Sequence, residues 1–197
     1  MSIGLWVRGA RPKTLVTSIA SVMVGAVMAY VHIERSGTCI AIYPEPASCA
    51  TAREQQTLLM DRFWPVTILC LLVALFLQIA VNYANDYSDG IRGTDAGRDT
   101  DESKSGKPQR LTASGLVPAK HVLFAAMICA AIACICGVVA VVLAQAWWLL
   151  AVGAASLLAG WFYTGGKHPY GYVGLGEVGV FLFFGLAAVL GTEYALC

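Results

Sequence analysis

The sequence predicts an all-α fold, a polytopic bundle of about five transmembrane helices, and two observations favour it. First, 58% of the 197 residues are hydrophobic and 13% are charged, whereas a soluble domain is about 45–50% apolar and about 25% charged. Second, the apolar residues are gathered in runs near the roughly 20 residues that a helix needs to cross a bilayer. Helices are expected because, in lipid, backbone polar groups must be bonded within their own segment.

The predicted spans are, in chain order, residues 14–33, 65–84, 119–144, 146–164 and 174–195. The first is too long for the apolar part of a signal peptide, and no small-residue cleavage site follows it, so we interpret it as a span. We treat residues 1–197 as one transmembrane domain. Two polar segments interrupt it: residues 34–64, predicted as an extracytoplasmic loop, and residues 85–118, predicted as a cytoplasmic Asp-rich loop.

Basic residues predict the orientation, because cytoplasmic segments of membrane proteins carry an excess of Lys and Arg. With the N-terminus inside, all but three of the 13 basic residues are cytoplasmic, and those three are Arg35, Arg53 and Arg62. We therefore expect a multi-pass protein of the cell (inner) membrane, surrounded by membrane lipid, with a cytoplasmic N-terminus. The net charge of +1 and the lack of a basic stripe with interleaved aromatic residues argue against a nucleic-acid partner.

The residues that carry chemistry follow the second span, where Asn82, Asp86 and Asp89 are spaced by four and three. If the helix continues this far, the spacing puts all three on one face. Two carboxylates stacked at a membrane boundary repel each other and are partly desolvated, and a bound divalent cation removes that penalty. Because every ligand atom would be oxygen, we predict Mg²⁺ as cofactor. Asn82, Asp86 and Asp89 are then the expected metal ligands and catalytic residues.

The alternative interpretation is a solvated acidic helix end followed by a turn. Three features favour a metal site instead. The acidic residues begin inside the membrane-buried pattern, where ionisable groups are usually functional. Basic residues follow closely, among them Lys107 and Arg110. Glycines such as Gly90 and Gly93 allow the segment to fold back over a ligand. Together these features predict a site for Mg²⁺ and a diphosphate.

At these residues a resemblance to a known family becomes specific. The pattern Asn82-x-x-x-Asp86-x-x-Asp89 resembles the first Asp-rich motif of the UbiA-type membrane prenyltransferases. Its surroundings, residues 85–95 and 108–115, resemble the branch of that family that prenylates 1,4-dihydroxy-2-naphthoate in menaquinone synthesis. The resemblance extends over nearly the whole chain and implies a membrane helix bundle with Mg²⁺ at this motif.

The resemblance also implies an activity and further site residues. Mg²⁺ would help a polyprenyl diphosphate donor to lose its diphosphate. The ring of dihydroxynaphthoate would then attack the prenyl carbon and lose its carboxylate. Tyr163-x-x-x-Lys167 resembles the diphosphate-side loop of the family. The diphosphate-binding residues expected on this basis are Lys107, Arg110, Tyr163 and Lys167. Asn85, Arg92 and Asp95 are expected around the metal ligands.

Three alternatives remain open from the sequence. A transporter or channel subunit could use polar residues such as Gln78 and Glu177 as an ion path, although transporter sites lie near the middle of the membrane. Within the enzyme class, 4-hydroxybenzoate and homogentisate are the other candidate acceptors. Lys167, taken alone, would equally suit a lysine that anchors a span.

The number of acidic motifs bears on completeness. The resemblance implies a nine-span bundle with two Asp-rich motifs, whereas this sequence contains one such motif. After Lys167 the only acidic residues are Glu177 and Glu193. We therefore expect the chain to correspond to the N-terminal five of about nine spans and to be inactive in isolation. A C-terminal half chain is then an expected partner.

Overall fold

The computed structural model describes residues 3–36, 46–93 and 110–197, except for the side chains of residues 46–50. Helices dominate these ranges, and no β-strand occurs within them. The helices are α1 (Ile3–Gly9), α2 (Pro12–Ser36), α3 (Pro46–Arg92), α4 (Ala119–Ala144), α5 (Leu149–Thr164) and α6 (Gly176–Leu196). A 3₁₀ turn at Tyr170–Val173 lies between α5 and α6, and α6 contains a π-helical stretch at Phe181–Ala187. The prediction of an all-α fold is confirmed.

The helices match the predicted spans in position. Within the described ranges, α2, α3, α4 and α6 are long and apolar enough to cross a membrane. Helix α5 is equally apolar but has 16 residues. At 1.5 Å per residue it is about 24 Å long, somewhat less than the ~30 Å hydrocarbon core of a bilayer. The five predicted spans therefore correspond to four long helices and one shorter apolar helix.

Helix α3 is much longer than its predicted span. Its 47 residues correspond to about 70 Å, more than twice the thickness of the hydrocarbon core. The predictions of loops at residues 34–64 and 85–118 are therefore wrong in part, because residues 46–64 and 85–92 are helical. The first of these stretches contains Ala, Glu, Gln, Leu and Met, all of which favour helix, while its charged residues and glutamines keep its hydropathy low. Pro65 lies inside the helix, where it cannot donate a backbone hydrogen bond.

Two buried apolar clusters hold the helices together, one near the middle of α3 and one toward its C-terminal end. The first joins α2, α3 and α6, and its buried members are Ala26, Ala29, Ile33, Phe63, Val66, Ala195 and Leu196. The other cluster joins α3 to α4 and to the residues between α1 and α2, and its buried members are Ala10, Tyr83, Leu111, Val117, Val122 and Ala126. The second cluster lies beside the polar end of α3 and so positions the Asp-rich residues.

Candidate active site

The carboxylate of Asp86 is buried and bonded to the backbone of a distant turn. The N–H of Leu111 donates to Oδ2 and the N–H of Thr112 donates to Oδ1, each with a donor–acceptor distance of 2.9 Å. The side chain of Asp86 is 2% exposed. Hydrogen bonds to an ionised acceptor are roughly twice as strong as those between neutral groups. Asp86 therefore fastens residues 110–117, which we call the docked turn, to α3.

The docked turn fits into notches made by two glycines. Leu111 is fully buried, and a Cβ at Gly9 would lie 2.5 Å from its Cδ1. A Cβ at Gly90 would lie 2.4 Å from Cγ2 of Thr112. The N–H of Val117 donates a hydrogen bond of 3.3 Å to the carbonyl of Leu111, and this bond closes the turn. A side chain at Gly90 would push the turn away from α3, and one at Gly9 would push Leu111 away from α1.

Asn82 ties the start of the chain to the same face of α3. Its Nδ2 donates to the carbonyl of Ala10 at a distance of 2.8 Å and to the hydroxyl of Thr14 at a distance of 2.9 Å. Its Oδ1 accepts a hydrogen bond of 3.2 Å from Nε2 of Gln78. Asn82 is 3% exposed. Its amide therefore joins the α1–α2 junction to α3, one helical turn before Asp86.

Asn85 contacts the last residue of α5, and Asp89 contacts the segment that follows α5. The hydroxyl of Thr164 donates a hydrogen bond of 2.7 Å to Oδ1 of Asn85, and both residues are buried. The hydroxyl of Tyr172 donates to Oδ1 of Asp89. Unlike Asp86, Asp89 is only partly buried. Asp89 is therefore the more accessible carboxylate of the two.

Arg92 lies one turn beyond Asp89, near the end of α3. Its Nη2 donates to the carbonyl of Gly166. Its guanidinium lies 5.8 Å from the ring centroid of Tyr172, within the range of a cation–π contact. The side chain remains exposed. Arg92 thus brings positive charge to the end of α3 that carries Asp89, and its role around a metal site stays a prediction.

Tyr163 and Tyr170 form an edge-to-face pair against the start of α6. Their ring centroids are 5.5 Å apart. A Cβ at Gly176 would lie 3.1 Å from the Tyr163 hydroxyl oxygen, and one at Gly179 would lie 2.8 Å from that of Tyr170. Burial, and then the proximity of Tyr163, raise the pKa of Tyr170 above its ordinary value, so this phenol is neutral at pH 7. The hydroxyl of Tyr163 faces Gly176, and its role toward diphosphate remains a prediction.

The predicted basic residues differ in placement. Arg110 begins the docked turn and is partly buried, whereas Lys167 is exposed and follows Gly166. Lys107 and Asp95 lie outside the described residues. Arg11, which sequence reasoning did not assign to the site, adjoins Ala10 and has a left-handed backbone with φ 54°. Its Nη2 is buried without a hydrogen-bond partner in the described ranges, so it is a candidate donor to an anion.

The donor set decides which metal would fit here. Among the described residues, no group of three or more His, Cys, Asp or Glu side chains could enclose a metal ion. Mg²⁺ does not need such a cage, because it usually takes one or two carboxylates and completes its shell with water and phosphate oxygens. The accessible carboxylate of Asp89 fits that requirement. One accessible carboxylate is compatible with such a shell, and Mg²⁺ at this site stays a prediction.

Sequence reasoning missed the partners of the acidic face. Thr164 ends α5, Tyr172 comes from the connection after it, and Leu111 and Thr112 contribute backbone amides. Backbone donors leave no trace in side-chain chemistry, so no motif could have identified Leu111 or Thr112. A signal for Tyr172 did exist, since two tyrosines and a glycine follow Pro169 in a short connection between spans.

Comparison with curated proteins found relatives of one kind. The chain is 43% identical to the 1,4-dihydroxy-2-naphthoate octaprenyltransferase of Mycobacterium tuberculosis and 41% identical to that of Mycobacterium leprae. Each match covers 98% of this chain and 54% of the relative. The protein of the same name from Escherichia coli is 30% identical over 96% of this chain and 52% of the relative. The chain thus spans about half the length of these relatives.

No solved structure matches the chain. The model of the UbiA prenyltransferase family matches residues 57–195, a range that includes Asn82, Asp86 and Asp89. Because that match extends over most of the sequence, the chain belongs to the UbiA prenyltransferase family.

Proposed function

We propose that this site takes part in the transfer of a polyprenyl group from polyprenyl diphosphate to 1,4-dihydroxy-2-naphthoate, with loss of the acceptor carboxylate, in menaquinone biosynthesis. The observation that carries the proposal is the accessible carboxylate of Asp89 at the end of a long apolar helix, where Tyr172 links it to Arg92. The Tyr172 hydroxyl donates to Asp89, and the Tyr172 ring lies 5.8 Å from the guanidinium of Arg92. A polar end of this kind suits a charged head group, and exposed apolar helix faces suit a prenyl tail. The names of the curated relatives support the choice of acceptor.

Mg²⁺ is the proposed cofactor, with Asp89 as its protein ligand and diphosphate and water oxygens as the others. When bound, the ion would neutralise negative charge on the departing diphosphate. Direct ligation by Asn82 and Asp86 remains a prediction. In the structure the side-chain oxygens of both residues already accept hydrogen bonds, so a metal ion would compete with those donors.

The basic residues are proposed to bind the diphosphate. Arg110 stands at the start of the docked turn, and Lys167 follows Gly166, whose carbonyl accepts a hydrogen bond from Arg92. Arg11 offers a buried Nη2 that lacks a described hydrogen-bond partner. Positive groups aimed at the diphosphate stabilise the charge that develops as it leaves. Lys107 is assigned the same role from the sequence alone.

The proposed location is the inner membrane, with a cytoplasmic N-terminus. This orientation puts the Asp89 end of α3 on the cytoplasmic side, where the charged head of a diphosphate substrate is accessible from water. It agrees with the distribution of Lys and Arg in the sequence.

A C-terminal half chain is a further proposed partner. The relatives are about twice as long as the region that matches, and a second acidic cluster would supply oxygen ligands on the other side of a bound diphosphate. Expression with and without such a half tests this point. Prenyl transfer by the 197-residue chain without any second polypeptide would refute the need for a partner.

The activity itself is tested in membranes that contain the protein together with the C-terminal half of a relative. They receive polyprenyl diphosphate, dihydroxynaphthoate and Mg²⁺, and we expect a prenylated, decarboxylated product together with released diphosphate. Asp89→Asn should reduce product by roughly a hundredfold or more, the scale on which removing one group that stabilises transition-state charge slows catalysis. Asp61→Asn is the matched control, because Asp61 is an exposed carboxylate on the same helix, toward its other end. Equal losses in the two variants would contradict the proposed site.

A further inference from the structure

We infer that Asp86 is a positioning residue, whose carboxylate holds the docked turn against α3 and thereby places Arg110 at the site. The docking itself is independent of the chemistry. The role of Arg110 rests on the proposed function. The inference gives the two carboxylates of the motif separate tasks: Asp86 binds the protein backbone, and Asp89 is left for ligand.

The first support is the hydrogen bonding of Asp86. Its two oxygens each accept a backbone N–H, from Leu111 and Thr112, across 25 and 26 positions of sequence. The side chain is 2% exposed, so a ligand would reach it only after the turn had moved. Asp89 differs on both counts, since it is partly exposed and its described bond comes from a side-chain hydroxyl, that of Tyr172.

The second support is the packing of the docked turn, which does not involve Asp86. Leu111 is fully buried in the apolar cluster that includes Tyr83 and Val122. Thr112 lies so close to Gly90 that an added Cβ would be 2.4 Å from its Cγ2. Hydrogen bonds and side-chain packing therefore fix the same two residues, Leu111 and Thr112, relative to α3, and Arg110 directly precedes them.

Hydrogen exchange in purified protein, without Mg²⁺ and without substrate, tests the docking. Asp86→Asn keeps the size of the side chain but replaces one acceptor oxygen by a donor. We expect the amides of Leu111 and Thr112 to exchange roughly tenfold or more faster, because one amide loses its acceptor and the other keeps only a neutral one. Asp89→Asn removes the same charge one turn away and should leave both amides unchanged. Unchanged exchange in Asp86→Asn, or equal acceleration in Asp89→Asn, would overturn the inference.

A second variant disturbs the docking without touching a carboxylate. Gly90→Ala adds a methyl group against Thr112, although alanine is otherwise favoured over glycine in a helix. It should accelerate exchange at Leu111 and Thr112, and the double variant Gly90→Ala/Thr112→Gly should restore protection at Leu111 by removing the clash. Protection that is unaffected by Gly90→Ala would also overturn the inference, even if the Asp86 variant does not fold.

A kinetic arm tests the step from the turn to Arg110. Arg110→Ala and Asp86→Asn should each raise the KM for the polyprenyl diphosphate more than they lower kcat. The double variant should be little worse than Asp86→Asn alone, because Arg110 is already displaced in it. Effects that multiply would contradict the coupling. If the wild type shows no prenyl transfer even together with the C-terminal half of a relative, the proposed function fails while the exchange experiment still decides the docking.

Discussion

The hydroxyl of Thr164 donates a 2.7 Å hydrogen bond to Oδ1 of Asn85, and this bond joins the end of α5 to the polar end of α3. Both residues are buried, at 4% and 8% exposure. A buried acceptor that loses its donor has no water to replace it, so the bond matters more than one on the surface. It also sets the position of the following connection, which supplies Tyr172 to Asp89.

Removing this hydroxyl should destabilise the protein. We expect Thr164→Val to lower the free energy of unfolding by about 1–3 kcal/mol, because Asn85 Oδ1 is left buried without a donor. Thr17→Val is the matched control, since the hydroxyl of Thr17 is exposed and bonds the carbonyl of Thr14 within its own helix. Thermal unfolding in detergent measures both, and an equal change in the two variants would count against the tertiary role of the bond.

Close packing between α2 and α6 at Gly25 gives a second prediction. A Cβ there would lie 2.3 Å from the backbone carbonyl oxygen of Val189. Backbone cannot move away as a side-chain tip can, so Gly25→Ala should cost about 1–3 kcal/mol in unfolding free energy. Gly153→Ala is the control, because nothing lies within 4 Å of a Cβ at that position. It should be neutral or slightly stabilising. Similar melting temperatures for both variants would disprove the packing argument.

Tyr172 should affect the Mg²⁺ requirement. Its hydroxyl donates to Asp89, which is the proposed metal ligand. Tyr172→Phe removes that donor but retains a ring near Arg92. We expect the Mg²⁺ concentration for half-maximal prenyl transfer to fall by roughly two- to tenfold, since a competing hydrogen bond worth about 1 kcal/mol is gone. A titration of activity with Mg²⁺ measures this. A rise in the Mg²⁺ requirement would indicate that the phenol instead helps to orient the carboxylate.

The basic residues should act on the donor substrate. Arg110→Ala and Lys167→Ala remove positive charge from the proposed diphosphate site, so each should raise the KM for polyprenyl diphosphate by roughly tenfold, equivalent to about 1.4 kcal/mol. The KM for dihydroxynaphthoate should change little. Arg53→Ala is a control on the exposed part of α3. An effect confined to the acceptor KM would be incompatible with diphosphate binding by either residue.

The orientation is tested with reporters. A reporter fused after residue 100 should be cytoplasmic and one after residue 50 should lie outside, because Lys and Arg are concentrated in the segments assigned to the cytoplasm. Paired reporters that are active on opposite sides of the membrane give the result directly. The reverse assignment would leave the Asp89 end of α3 on the wrong side for a cytosolic diphosphate.

The sequence determined the class of fold and the position of the helices. Hydrophobic composition and run length predicted membrane spans, and the helices lie where those runs lie, because lipid permits only structures that satisfy their own backbone. The spacing of Asn82, Asp86 and Asp89 also predicted a shared helix, and all three lie on α3. Only the ends of that helix were misplaced, since polar residues such as Glu54 and Gln55 lower hydropathy without opposing helix.

The tertiary structure decided which groups each acidic residue contacts and which of the two carboxylates is exposed. Asp86 and Asp89 are alike in the sequence, three positions apart in one motif, yet one is buried on backbone amides and the other is partly exposed. That difference arises from the docked turn, which reaches α3 from 25 residues away and offers only N–H groups that every non-proline residue has. Side-chain identity can place carboxylates on a helix face, but the packing of distant backbone decides which of them remains accessible to a ligand.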